Sequence, residues 1–173
     1  MERSLVIEQL PGLRRYARAL TGDGWAADDL VQDTLERACA KWQLWLAGSD
    51  LRAWLFTLMH NLYMNQRRTV QPTAGAVQID EIQSELPAAE GDTDSALDLT
   101  RCLKRLPDEQ RAVLLLVALE DMSYAEAAKV LGIPIGTVMS RLSRARSRLR
   151  ELMEGADPVS RPVPGQPQLR RMK

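Results

Sequence analysis

The chain has 173 residues, room for one ordinary domain or two small ones, and its 45% apolar and 27% charged content is that of a folded globular protein rather than a disordered one. No run approaches the roughly 18 apolar residues needed to span a bilayer. Since β-branched runs bounded by Gly or Pro are also missing, direct membrane insertion and a β-sandwich or barrel are both set aside. The 23 basic and 23 acidic residues cancel to a formal charge of zero, but they are not mixed. Residues 1–70 are close to neutral, residues 71–100 hold seven acids and no base, and residues 101–173 hold fourteen bases against eight acids.

The first residues, MERSLVIEQLPGL, carry neither a basic n-region nor a small-residue cleavage site, so export is not expected. Cys39 and Cys102 stand far apart and outside any C-x-x-C, which suits packing roles in a reducing compartment and makes the cytoplasm the default location. WAADDLVQDTLERACAKWQLW reads as a helix with Val31, Leu35, Ala38 and Trp42 along one side and Asp29, Asp33 and Glu36 opposite. Asp28 and Asp29 fall at its N-terminus, where capping or a docking face explains them better than catalysis. DLRAWLFTLMHNLYMNQRR reads as a second helix, with Trp54, Leu55, Leu58 and Leu62 at core spacing and Thr57, Asn61, Asn65 and Arg68 on its exposed side. Asparagines beside arginines suit hydrogen bonds to bases and phosphates, and an ordinary polar helix face accounts for the same pattern.

The acidic stretch that follows, with Pro72, Pro87 and no sustained helical stripe, reads as a flexible linker over residues 71–95, with room for a short helix at 79–86. Four helices then follow within 96–154. One covers 96–106, and an apolar one begins after Pro107 with acids in its first turn. In SYAEAAKVL, Ser123 and Glu126 form a capping-box pattern, Ala127 and Ala128 permit close helix approach, and Gly132 with Ile133-Pro134 makes a turn. The last helix, IGTVMSRLSRARSRLR, has five arginines and no acid. Its core stripe is Val138, Leu142, Ala145, Leu149 and Leu152. Thr137, Ser140, Arg141, Arg144 and Arg148 fall on one flank, and Met139, Ser143, Arg146 and Arg150 on the other. Helix, Gly turn and arginine-rich helix is the helix-turn-helix layout. Thr137, Ser140, Arg141 and Arg144 are placed to meet base edges, and Arg146, Arg148 and Arg150 to reach phosphates. The plain alternative is a solvated arginine face on a helical bundle. Residues 155–173, with four prolines, read as a disordered tail. The fold class is therefore all-α, two small helical domains joined by an acidic flexible linker.

His60 is the lone histidine and has no partner at metal spacing, so no metal is expected. No Walker loop, G-x-G-x-x-G or G-x-S-x-G occurs, so neither a cofactor, a small-molecule substrate nor catalysis is expected, and the chain reads as a non-enzyme.

Taken together, DDLVQDTLERA, LRAWLFTLMHNLYMNQRR and the run from LPDEQRAVLL through GIPIGTVMSRLSRARSRLR resemble regions 2 and 4 of bacterial RNA polymerase sigma factors of the extracytoplasmic-function (ECF) type. The resemblance implies a core RNA polymerase partner, met at its β′ clamp helices by Asp29, Gln32, Asp33, Glu36 and Arg37, and at its β flap. It implies capture of a promoter −10 element by Asp50, Asn61, Asn65, Arg67 and Arg68, and reading of a −35 element by Thr137, Ser140, Arg141, Arg144 and Arg148. An anti-sigma partner and a stress-related gene set are further expectations of the family. Met139 and Ser143 depart from the lysine, arginine or bulkier residues of many relatives, which bears on the −35 sequence read. Two other classes remain open, a free-standing helix-turn-helix regulator and a sigma mimic that titrates an anti-sigma factor.

Overall fold

The computed structural model describes residues 3–45, 49–70 and 93–156; the linker stretch 71–92, with its considered helix at 79–86, and the tail from 157 lie outside the described residues. All regular elements among the described residues are helical: α1 (Arg3–Thr21), α2 (Gly24–Ala40), a short 3₁₀ turn (Trp42–Leu44), α3 (Leu51–Val70), α4 (Thr93–Lys104), α5 (Asp108–Ala118), α6 (Tyr124–Leu131) and α7 (Ile135–Ala156).

The helix boundaries follow local chemistry. Asp23, in extended conformation, accepts a 2.7 Å hydrogen bond from the Ala26 N–H and caps α2. Asp28 and Asp29 sit a turn further in and do not cap. The sequence pattern ran this helix on to Trp45, but the α-helix ends at Ala40. There the chain tightens into the 3₁₀ turn, which stacks Trp42 against Trp45 at 4.9 Å and edge-on to Trp54 of α3 at 6.2 Å. Asp50 opens α3 by accepting from the Ala53 N–H at 3.0 Å. The capping box on α6 is present in both directions, Glu126 N–H to Ser123 and Ser123 N–H to Glu126. Gly132, with φ +64°, closes α6 in the left-handed conformation that a side chain disfavours.

Helix α3 buries Leu55, Phe56, Met59, His60 and Tyr63, and leaves Trp54, Leu58 and Leu62 only half-buried, a shift from the expected stripe. The reason is that α3 is packed twice, against α2 on one side and α6 on the other. Helix α5 is central to the second half. It packs on α7, α6 and α1, and Arg111, Ala112, Val113, Leu114, Leu115 and Leu116 are consecutively buried.

The helices before and after the linker share one continuous core. Leu13, Tyr16 and Leu20 of α1 and Leu55, Phe56 and Met59 of α3 belong to the same cluster as Leu115 and Leu116 of α5, Ala127 of α6 and Val138 of α7. Across this seam lies Glu120, just past α5, whose side chain is only 1% exposed. Arg15 of α1 grips it with two parallel bonds, Nε to Oε1 and Nη2 to Oε2, each 2.9 Å. Arg52 of α3 adds a 3.2 Å contact to Oε2, donates to the Glu120 carbonyl, and stacks over Phe56 at 5.6 Å. Gly12 makes room for the carboxylate, since a Cβ there would stand 3.0 Å from Oε2.

Glu120→Ala strands two arginines that still reach solvent, so the loss falls short of that for a fully buried pair. We expect about 1–3 kcal/mol of destabilisation, from the charge-assisted bonds removed. Urea unfolding followed by helical circular dichroism measures it, and an unchanged midpoint contradicts the clamp.

Candidate nucleic-acid interface and docking face

Helix α7 buries Val138, Leu142 and Ala145, with Leu149 and Leu152 packed behind them. At about 100° per residue, Gly136, Ser140, Ser143 and Ser147 point directly away from that stripe, with Thr137, Met139, Arg144 and Arg150 beside them. Arg144, Arg146, Arg148 and Arg150 are exposed, and among the described residues no carboxylate pairs with them. Thr137 and Ser140 are half-buried, and the Ser140 hydroxyl donates to the Thr137 carbonyl at 3.1 Å. Arg141 is different. It lies at the edge of the core stripe, its side chain is 23% exposed, and its guanidinium meets Glu109 of α5 at 2.6 Å.

Of the candidates on and before α3, Asn61, Asn65 and Arg68 are exposed on one side of the helix. Asp50 is engaged as the α3 cap. The Arg67 Nε donates to Asp108 at 2.9 Å, also on α5. Asp108 accepts from the Tyr63 hydroxyl at 3.0 Å and pairs with Arg111. Arg111 in turn donates to the Tyr63 oxygen at 2.5 Å and to the carbonyls of Leu103 and Lys104 at 3.3 Å. Burial alone would raise the Asp108 pKa, but the hydrogen bonds from Arg67 and Tyr63, with the charges of Arg111 and Arg67, outweigh it and hold the carboxyl below its usual range. The first turn of α5 therefore holds one candidate arginine from each half of the chain, Arg67 by Asp108 and Arg141 by Glu109.

On α2, Asp29, Gln32 and Glu36 form one exposed stripe, with Gln32 donating to Glu36 at 3.0 Å. Asp33 turns off that stripe to accept from Gln66 of α3 at 3.2 Å, and Arg37 follows it one turn on. The stripe begins a turn earlier than the acids suggested. Trp25 is 85% exposed and lies four, seven and eleven residues before Asp29, Gln32 and Glu36. The helical wheel could have found it; the interdomain roles of Asp108, Glu109 and Glu120 leave no periodic signal.

Among the described residues there is no group of three or more side chains able to hold a metal, and no helix is long and apolar enough to cross a membrane.

Comparison with known proteins identifies the family. Residues 6–60 match the family described as the Sigma2 domain of PhyR, and residues 96–149 match Sigma-70, region 4. The ECF RNA polymerase sigma factor EcfG of Rhodopseudomonas palustris is 37% identical over 163 residues, covering 90% of this chain and 87% of that protein. The ECF RNA polymerase sigma factor SigL of Mycobacterium tuberculosis is 36% identical over 155 residues, covering 86% of each. The sigma factor RpoE of Bartonella quintana, solved in complex with the anti-sigma factor NepR, superposes with a TM-score of 0.74 at 36% identity, over 88% of this chain and 96% of that one. The chain belongs to the ECF family of RNA polymerase sigma factors.

His60, at the α3 surface buried against the second half, is pushed down to about 4, first by burial and then by the nearby Arg141 charge. A histidine kept neutral in the fold contributes stability above its unfolded pKa of about 6.5 and loses it as pH falls toward the folded value. We expect wild-type stability to fall between about pH 6.5 and pH 4, by on the order of 3 kcal/mol from this group. His60→Leu should flatten that part of the profile in urea titrations at pH 7, 6 and 5.

Proposed function

We propose that the helices before the linker engage core RNA polymerase and the −10 element, and that those after it read the −35 element, so that the chain directs polymerase to a restricted promoter set. The observation that carries this reading is the α7 surface: four exposed arginines that pair with no carboxylate among the described residues, on the second helix of a capped helix-turn-helix. Arg144, beside the centre of the exposed face, is assigned to a base edge, with Thr137 and Ser140 near it. Arg148 is assigned to phosphate. Arg141 reaches DNA in this reading only after parting from Glu109. Asn61, Asn65 and Arg68 take the −10 element, joined by Arg67 once it leaves Asp108, while Asp50 sets the start of the helix that carries them. Asp29, Gln32 and Glu36 dock on the polymerase clamp. The chain does no covalent chemistry itself in this reading, works in the cytoplasm, and is held in reserve by an anti-sigma factor, as the Bartonella relative is bound by one.

The deciding experiment is run-off transcription with core polymerase on a genomic promoter library, with and without the chain. New transcripts sharing two upstream elements are expected. Tight sequence-specific duplex binding without polymerase, and no new transcript, would instead identify a free-standing regulator. No new transcript, with binding to an anti-sigma factor that survives Arg141→Ala/Arg144→Ala, would identify a mimic. On the promoter so found, Arg144→Ala should cost about 1–3 kcal/mol of binding and relax the preference at one −35 position. A uniform loss across sequences would reassign Arg144 to the backbone.

A further inference from the structure

We infer that Trp25 is the anchor of the α2 docking face, and that it inserts into an apolar pocket bordered by basic groups on core RNA polymerase; this rests on the proposed docking role of α2.

An indole 85% exposed has no packing role among the described residues, so the described core does not account for it. Its position is specific. With about 100° per residue, Trp25, Asp29, Gln32 and Glu36 fall within roughly 60° of one another. That arc lies opposite the buried side made by Ala27, Leu30, Val31, Thr34 and Ala38. The stripe is therefore a single polar and acidic ridge with one large apolar side chain at its N-terminal end. Protein interfaces concentrate their binding free energy in such residues, a tryptophan that becomes desolvated inside a ring of polar contacts. Tryptophan is also suited to the rim of a charged surface, because its body is apolar while its N–H remains available.

The surrounding charges select the partner. Asp23 caps the helix beneath Trp25, Asp28 and Asp29 follow it, Glu36 lies along the ridge, and α2 has no base before Arg37. A phosphate backbone is repelled by that field, so the indole does not serve the nucleic-acid face, which lies on the arginines of α7 and the asparagines of α3. A second copy of the chain would bring acids against acids. A basic-rimmed pocket on a protein satisfies both features at once, with the carboxylates steering encounter and the indole holding the complex. The ridge is continuous with the residues assigned to the clamp, so one polymerase surface covers all four.

The test measures equilibrium binding of the full chain to core RNA polymerase from the organism that encodes it. The variants are wild type, Trp25→Ala, Trp25→Phe and the double reversal Asp29→Arg/Glu36→Arg. Because Trp25 is exposed, the alanine variant should melt with wild type by circular dichroism. Affinity for core should fall at least about 30-fold in Trp25→Ala, as expected of an interface anchor. Trp25→Phe should recover most of that loss, which a merely polar rim position would not show. If Trp25→Ala binds like wild type while the double reversal fails to bind, the anchor is overturned and the docking face stands. Should both bind like wild type, the α2 face itself is overturned. If wild type does not bind core, the sigma reading and the anchor fall together.

Discussion

A carboxylate taken out of water has to be matched where it lies, and Glu120 is matched entirely from the far side of the molecule. Arg15 and Arg52 come from the first and third helices, whereas Glu120 lies just past the end of the fifth. This constraint fixes how α1 and α3 approach α5 and α6, and the shared core of Leu13, Tyr16, Phe56, Leu115 and Leu116 closes beneath it. Burying an ion pair is a costly way to gain stability compared with apolar packing, but it is selective about geometry. A seam of leucines alone would tolerate sliding, and a bidentate guanidinium tolerates little.

Helix α5 becomes the organising element as a result. Its body is buried on consecutive positions because three helices surround it, while its first turn projects Asp108 and Glu109 toward two different helices. The helix N-terminus already favours negative charge, so these acids are at home there before any arginine arrives. Tyr63 and Arg111 then complete the Asp108 network, leaving a polar joint whose members come from α3 and α5. The same helix thus holds the halves together and occupies two of the arginines assigned to promoter DNA.

Much of this was legible in the chain because much of it is local. Ser123, Glu126 and Gly132 announce α6 and its turn from adjacent residues, and the α7 stripe of Val138, Leu142 and Ala145 needs only a 3.6-residue period. The core face of α3 was misjudged by about one residue because a helix packed on two sides buries a broader arc than one amphipathic stripe predicts. Trp25 was visible on the wheel but reads like any apolar residue opening a helix until its exposure is known. The pairings of Arg15, Arg52, Arg67 and Arg141 join residues far apart in sequence, and no periodicity encodes them. The candidate site was accordingly found as a set of residue types, while which of its arginines are already engaged emerged only in three dimensions.

The two arginines held at the start of α5 bear on how the protein responds to ionic strength. An unpaired arginine that meets a DNA phosphate displaces condensed cations, so binding weakens steeply as salt rises. In the proposed function Arg67 and Arg141 reach DNA only after parting from Asp108 and Glu109, and added salt eases that parting by screening these partly exposed pairs. For these two residues the effects oppose one another. On the proposed assignment these two basic groups therefore add less than an unpaired arginine both to the strength of DNA contact and to its sensitivity to salt, and the two carboxylates at the start of α5 act as a buffer between the molecule and its ionic surroundings.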